Sequence, residues 1–588
     1  VSWVRLVAEA LLWASLIALV LSVSLREIAS YDYWWHLRTG QLILETGSVP
    51  KTDFFTYSMP GARYIDIHWL FQVWLYGVYR LAGHAGVVWS QLVITAVLCW
   101  IVATIGFRRR STVVTVAALA LMLLLVAARI MPRPELLSFV LLASVLYLLE
   151  RFRERADRPD RWVYAIPALQ VLWVNIHGFF ALGLALVGFY LAGELLRWLA
   201  SSRRADADSG GAARRVRRLA AVFVLALLAS LCSPNGLDAA LYPVRQLAMI
   251  GPGRTPLGAF SAELTSTLGG EGAPALTIAI LGLLLIASLV SVAVQRRRFT
   301  FSDPLVILGF LYLALSAERN ISIFAVVAAP LLVRNFNEAL DRRKRPDGVG
   351  AVVTASVAAA IAVCAAALAF GPYYARIANR RDLGLGFREL LHPVGAVEWI
   401  QRNRPEGPIW HSMNDGGYLL WSLYPDYRVL LDGRLEVYGA EGLAALQAFT
   451  PEAFDRLDRR FRFGTALVHH SARRFNPLLA WMAWNPGWRL VFVDDVATIF
   501  VRDAPGAGPL PPAVDLDAPD LFPPISDAGR DESVMRRVAR IDFYIAVQRY
   551  GRALEVWDEL SKHVPELDRG DEFRRFLLEQ SRRSRGNR

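Results

Sequence analysis

Only three of the 588 residues are cysteine, Cys99, Cys232 and Cys364, and each lies in or at the edge of an apolar run. That excludes a disulfide framework and a cysteine zinc site, and it gives no redox address. A basic face interleaved with aromatics is missing too. The formal net charge is +12, yet the arginines fall in short clusters between apolar runs. Such clusters fix membrane topology; they do not line a nucleic acid, which is set aside as a partner. Lys and Arg are scarce in the segments that alternate with these clusters: "RIMPRP" (129–134), "NIHG" (175–178), 233–274 and "AERN" (317–320).

What is present is apolar length. Hydrophobic residues make up 55% of the chain, and runs of spanning length recur up to about Phe370. A bilayer core needs ~20 apolar residues per helix. Clusters at 107–110, 151–161, 203–218, 295–298 and 341–345 are assigned to the cytoplasm. The alternation predicts eleven spans: 6–25, 86–106, 111–128, 134–150, 161–176, 178–199, 218–232, 275–294, 303–317, 321–336 and 349–370. The first, with Arg5 as its sole basic flank, reads as an uncleaved span rather than a secretory signal. The N-terminus is then inside, and everything after about Gly371 lies outside the inner membrane. One apolar segment, 67–83, carries Trp, Tyr and Gln at helical spacing. Counting it as a span would invert every later cluster, so it is assigned to a helix in the interface, within a large outer loop 26–85.

After the transmembrane domain 1–370, residues 371–502 read as an α/β domain. Strands are expected at 408–412, 428–432, 465–470, 489–494 and 497–502, the last two forming a hairpin across Asp495 and Val496. Helical patterns occupy 393–403, 416–424 and 451–461. A Pro-rich linker, 503–524, leads to a helical tail, 525–588, in which Tyr544, Ala553, Trp557 and Pro565 have the spacing of one tetratricopeptide-like hairpin. An ordinary helical hairpin docked on the domain fits equally well. Either offers a protein partner a surface.

The outer side collects polar residues that spanning does not require. Asp32, His36, Arg38, Asp53, Asp66 and His68 lie on the first outer loop, and Arg133 lies on the second outer turn. Asn175 and His177 end the fifth span, Glu263 lies on a later loop, and Glu318, Arg319 and Asn320 follow. Ionisable groups at a membrane edge are candidates for function.

The stretch "YDYWWHLRTG" (31–40), just after the first span, resembles the GT-C superfamily of membrane glycosyltransferases. It is most like the "D-x-W-W-H-x-R" stretch of oligosaccharyltransferase catalytic subunits, and its continuation through 70 also resembles bacterial relatives of protein mannosyltransferases. In layout the resemblance covers 1–370. It implies an inverting transfer from a polyprenyl-phosphate or polyprenyl-diphosphate sugar to a glycan, lipid or protein acceptor. By position Asp32 is the first-loop base or metal ligand and Glu263 the second acid, with a divalent cation (Mg or Mn) as the implied metal. The first loop has a single Asp where paired acids are the pattern, and "NDGGYLLW" (414–421) stands in place of W-W-D-Y-G. Metal dependence and asparagine-linked transfer stay open.

The chemistry is consistent with these residue types. An alcohol needs a base to attack an anomeric carbon, and the departing phosphate needs cations. Arginine's planar fork matches phosphate oxygens, so Arg133 and Arg319 are the expected grips, with His68 and His177 secondary. Plainer readings stand beside these. Trp34 and Trp35 read first as an aromatic belt, with sugar stacking as the alternative. Arg319 also suits a helix stop paired with Glu318, Asn175 and His177 suit a helix end, and Asp432 with Arg434 suits a turn salt bridge. Two other functional classes remain: a lipid-linked-precursor flippase, and a non-catalytic scaffold that presents its C-terminal domain.

Overall fold

The computed structural model describes residues 3–107, 112–154, 161–203, 209–250, 266–268, 273–295, 300–342, 350–370, 382–503, 510–525, 530–564 and 571–586. The chain divides into two compact units. One comprises Val1–Ser30, Thr39–Lys51 and Ile65–Phe387; the other comprises Tyr31–Arg38, Thr52–Tyr64 and Arg388–Arg588. Two pieces of the first outer loop, 31–38 and 52–64, therefore belong with the C-terminal part of the chain.

The first unit is a polytopic helical bundle. Among the described residues, seven helices are long and apolar enough to cross a bilayer: Trp3–Ser24, Trp69–Thr104, Thr112–Arg129, Phe180–Ser202, Ala275–Val294, Glu318–Ala339 and Ala351–Phe370. Helices also stand at the other four expected spans, Pro134–Glu154, Ile166–Val174, Ser209–Ala229 and Ser302–Ser316. Two of these are short, at 9 and 15 residues, and the other two carry clustered charges at one end. A helix thus stands at each of the eleven expected spans, and among the described residues seven of these are long and apolar enough to cross a bilayer.

Trp69–Thr104 is not one straight rod. It breaks at Ala82 and Gly83, where Gly83 takes a φ of 60° that only glycine adopts readily. The break falls where the sequence separates the 67–83 segment from the span at 86–106. Trp3–Ser24 packs along the Ala-rich helix Ala351–Phe370, whose small side chains allow close backbone approach. Just past the end of the first helix, Arg26 donates Nε to Ser22 O at 2.7 Å and a second nitrogen to Leu368 O. The two helices therefore end together and run in the same direction.

A buried ionic network ties five helices elsewhere in the bundle. Arg334, 1% exposed, donates to Glu150 at 2.5 Å and to Asp303. Tyr190 also donates to Glu150, and Arg153 pairs with Glu150 at 2.8 Å and with Asp303 at 3.8 Å. Asn335 accepts from Arg334 Nε at 3.1 Å and donates to Ser291 at 3.2 Å. Two guanidiniums and two carboxylates cancel. Gly106 presses on Arg334 from the side: a Cβ there would lie 2.5 Å from Arg334 Cα.

The second unit holds a four-stranded sheet in the order β1-β2-β4-β3. β1 (Ile409–Trp410) is parallel to β2 (Thr465–Val468); β4 (Thr498–Arg502) is antiparallel to both β2 and β3 (Trp488–Val493). The expected hairpin across Asp495 and Val496 is present. The expected strand at 428–432 is not a sheet member. Val429 instead bridges Thr56, exchanging backbone bonds with Phe55 O and Tyr57 N at 3.1 Å. The tail forms three helices, Arg530–Ala546, Tyr550–His563 and Asp571–Gly586, rather than one hairpin. It docks on the sheet's hairpin turn, where Arg536 and Arg540 both pair with Asp495, at 2.8 and 2.5 Å.

Removing one partner of a buried ion pair strands the others, at about 3–5 kcal/mol. Arg334→Met is expected to lower the thermal midpoint of the detergent-solubilised protein far more than Arg153→Met, whose side chain is 14% exposed. Equal midpoints for the two variants would mean that the network is not what holds these helices.

Candidate functional site

In the first unit, expected site residues from separate helix ends meet in one cluster. His68 ends the loop before Trp69, and its ring lies 5.6 Å from that of His177, in the turn after Ile166–Val174. His177 Nδ1 is 2.9 Å from Ser138 Oγ, which also accepts from Trp173 Nε1 at 2.9 Å. Asp66, 0% exposed, accepts from His68 N at 2.9 Å and from Gln72 Nε2 at 3.2 Å, so it ties the turn before the following helix to that helix's first turn. Asn175 commits its amide to the protein: it accepts from Trp69 Nε1 and donates to Val171 O and Cys232 O, all at 2.8 Å.

Charge surrounds the histidines. Burial pushes His68 down to about 4. Burial also pushes His177 well below its ordinary value, and His68, Arg319 and Arg129 push it further. Both imidazoles are therefore neutral at physiological pH, beside two permanent cations. Arg129 donates Nε to Glu135 at 2.9 Å, and Arg133 donates Nε to Ser30 Oγ at 3.1 Å. Neutral imidazoles donate hydrogen bonds without adding repulsion, and guanidiniums match oxyanions. The arrangement suits a phosphate. Arg129 was not singled out in the sequence; its signal was that "RIMPRP" holds two arginines inside a segment otherwise counted as poor in basic residues.

Asp32, His36 and Arg38 lie in the second unit. Asp32 opens the helix Asp32–Thr46 and accepts from Trp35 Nε1 at 3.2 Å. The Trp35 ring lies 3.6 Å from that of His36, and Arg38 lies 4.9 Å above the Tyr424 ring. Trp34 and Trp35, read as an aromatic belt, are instead core residues of this unit, 1% and 4% exposed. Trp34 donates Nε1 to His392 Nε2 at 3.1 Å and meets Tyr418 edge-on.

Asp32 is set by a rigid neighbour. Arg434, 1% exposed, forks onto Asp432 at 2.7 Å and reaches Asp53 at 2.7 Å, with the rings of Phe55 and Tyr64 about its guanidinium. This buried triad is more than the expected turn salt bridge, because it fastens 52–64 to 428–434. Between Asp432 and Arg434 stands Gly433, where a Cβ would lie 2.5 Å from Asp32 Oδ1 and 2.8 Å from Trp35 Nε1. Glycine is thus required for Asp32 to lie against the triad.

Among the described residues no group of three or more His, Cys, Asp or Glu is placed to hold a metal. Asp32 Oδ1 accepts an indole N–H, and Glu263, the second expected ligand, lies outside the described residues.

The buried neutral histidines make a pH prediction. The folded His68 value of about 4 lies below the unfolded ~6.5, so its contribution is present above that value and lost as pH falls toward 4, by ~1.4 kcal/mol per unit. Unfolding midpoints of wild type should fall across this window, and His68→Gln should flatten the slope. An unchanged slope in His68→Gln would show that the fold does not hold this imidazole neutral.

No family model matches the chain, and no curated protein sequence matches it. Among solved structures it is similar to the Archaeoglobus fulgidus oligosaccharyltransferase in the apo form, at 12% identity and a TM-score of 0.49, over 84% of this chain and 74% of that one. The same enzyme tethered to an acceptor peptide containing the NVT sequon aligns at 14% identity and a TM-score of 0.49, over 84% of this chain and 74% of that one. ArnT from Cupriavidus metallidurans bound to undecaprenyl phosphate aligns at 14% identity and a TM-score of 0.47, over 85% of this chain and 99% of that one. Likeness at this level assigns no residue its role.

Proposed function

We propose that the protein is a glycosyltransferase. It moves a sugar from a polyprenyl-phosphate or polyprenyl-diphosphate donor to a hydroxyl of a glycan, lipid or protein acceptor at the outer face of the cytoplasmic membrane, with inversion. The observation that carries this reading is the convergence of Arg129, Arg319, His68 and His177 at helix ends of an apolar bundle. A phosphate carried on a lipid tail meets both needs: its head finds cations and neutral donors, and its tail finds apolar helices. Ala275–Val294 and Ala351–Phe370 are only 22% and 28% buried and present such surface.

In the reaction the acceptor oxygen attacks the anomeric carbon from the face opposite the phosphate. The carbon–oxygen bond to the phosphate breaks, and its electron pair stays on the phosphate oxygen. Arg319 and Arg129 hold that growing charge, and Arg133 adds a cation on the same loop as Arg129. Asp32 draws the proton from the acceptor hydroxyl. Were a divalent cation bound, Asp32 and Glu263 would hold it, and it would add charge stabilisation at the phosphate. The topology follows the arginine clusters, with the N-terminus inside and the C-terminal unit outside.

Asp32→Asn keeps shape and removes the anionic oxygen, so label transfer from radiolabelled polyprenyl-phosphate sugars to an envelope extract should fall about 10²–10⁴-fold, with donor binding intact. Near-normal turnover in that variant would remove Asp32 from the chemistry. Arg319→Lys keeps charge but loses the fork, so it should impair transfer; Arg319→Ala should impair it more, chiefly in turnover. If Arg319→Ala binds donor and turns over like wild type, the phosphate is held elsewhere.

A further inference from the structure

Four histidines are buried among the described residues of the C-terminal segment: His392, His411, His469 and His470. Three are occupied by the fold. His392 Nε2 accepts from Trp34, and burial pushes His392 down to about 3. His411 Nε2 accepts from Leu430 N at 2.8 Å, so its Nδ1 carries the proton and donates to Ser412 O at 2.9 Å. His470 Nε2 donates to Asp494 O at 2.7 Å.

His469 is arranged differently. Its Nδ1 lies 2.7 Å from Asp415 Oδ1, and Asp415 is 0% exposed. A carboxylate only accepts, so Nδ1 bears the proton and Nε2 presents its lone pair. Among the described residues no hydrogen bond engages Nε2. The other Asp415 oxygen accepts from Ser412 Oγ at 2.6 Å. Burial opposes ionisation of Asp415, but its electrostatic interaction with His469 and the bonds from His469 and Ser412 hold its carboxyl below the usual range. An imidazole turned by an ionised, buried carboxylate is the arrangement of a general base.

Its place in the fold also points to a ligand. Ser412 follows β1 and His469 follows β2, which run parallel. Asp415 lies in the first turn of Met413–Leu423, the helix after β1. Ligands of α/β sheets bind outside the carboxyl ends of parallel strands. Tyr31 reaches the same edge: its hydroxyl bonds Asn414 and feels Asp415 and Arg474, and a Cβ on Gly417 would lie 2.8 Å from Tyr31 O. Tyr31 immediately precedes Asp32.

We propose that His469, oriented by Asp415, is the base on which the acceptor's proton comes to rest, and that a hydroxyl-bearing acceptor binds at this edge of the sheet. The acceptor side of this inference rests on the glycosyltransferase reading. An ordinary carboxylate is too weak a base to keep a proton at neutral pH, whereas an imidazole is matched to it. The acceptor oxygen bonds the anomeric carbon as the bond from that carbon to the phosphate oxygen breaks, its electron pair leaving with the phosphate; the acceptor O–H bond breaks, and its proton passes by way of Asp32 to His469 Nε2 and then to solvent. Asp415 is a positioning residue. Among the described residues, the charged or titratable groups that interact with His469 are Asp415 on the helix, His392 on the preceding turn, Asp494 on the hairpin turn and His470, its neighbour after β2.

The test uses the full-length protein with His469→Gln and Asp415→Asn. Donor binding and label transfer from radiolabelled polyprenyl-phosphate sugars to an envelope extract are followed across pH. Both variants should bind donor like wild type. His469→Gln should lose about 10²–10⁴-fold in transfer and lose the acid limb of the profile. Asp415→Asn should lower transfer less than His469→Gln, because the imidazole stays but is no longer held in one orientation. Transfer near wild type, or a retained acid limb, in His469→Gln overturns the proposal. In parallel, carbethoxylation by diethyl pyrocarbonate is mapped by mass spectrometry. His469 should react faster than His411 and more slowly in Asp415→Asn; reaction no faster than that of His411 overturns the dyad. Should wild type bind donor yet move no label, the glycosyltransferase reading fails, and the labelling alone decides whether His469 is a poised base.

Discussion

A guanidinium inside an apolar bundle must find anions there, because water cannot solvate it. Arg334 meets that constraint with Glu150 and Asp303, which lie on helices far apart in sequence. Each of those acids is equally costly alone, so the helices carrying them are held together by mutual need as much as by packing. Gly106 shows how tightly the neighbours have closed: its missing side chain makes room for the Arg334 backbone. Helices too short or too charged to be persuasive spans, such as Pro134–Glu154 and Ser302–Ser316, bring in Glu150 and Asp303.

The cluster of His68 and His177 solves the same electrostatic problem in the opposite way. There the titratable groups lose their charge and the arginines keep theirs. Arg129 has Glu135 as its counter-ion, and His177 feels net positive field from both Arg129 and Arg319. The Arg334 network is neutralised within itself, whereas the His68 and His177 cluster keeps its imidazoles uncharged beside arginines.

In the second unit, the Arg434 triad does for the loop pieces what Arg334 does for the helices. It binds Asp53 to Asp432, and Gly433 between them lets Asp32 and Trp35 lie close. Trp34 adds an apolar anchor with its one donor satisfied by His392. Asp32 therefore sits on a segment fixed on both sides, which limits the orientations its carboxylate can take.

The sequence alone decided the helices, because spanning length and arginine alternation are local properties of the chain. Residues 67–83 were separable from the next span for the same reason, and Gly83 breaks the helix there. The clustering of His68, His177 and Arg319 was partly legible from the expected topology, which puts these helix ends on one side of a membrane; packing then brought them together. Burial was not legible. "DYWWH" reads as an interface belt until the partners of Trp34, hundreds of residues later in the chain, close over it. The 428–432 strand fits its local pattern, but its partner proved to be the loop at 56 rather than the sheet. Tertiary structure alone could pair Arg334 with Glu150, Arg434 with Asp53 and His469 with Asp415. Each of these bonds joins residues whose nearness depends on how distant segments pack, and no local periodicity records that.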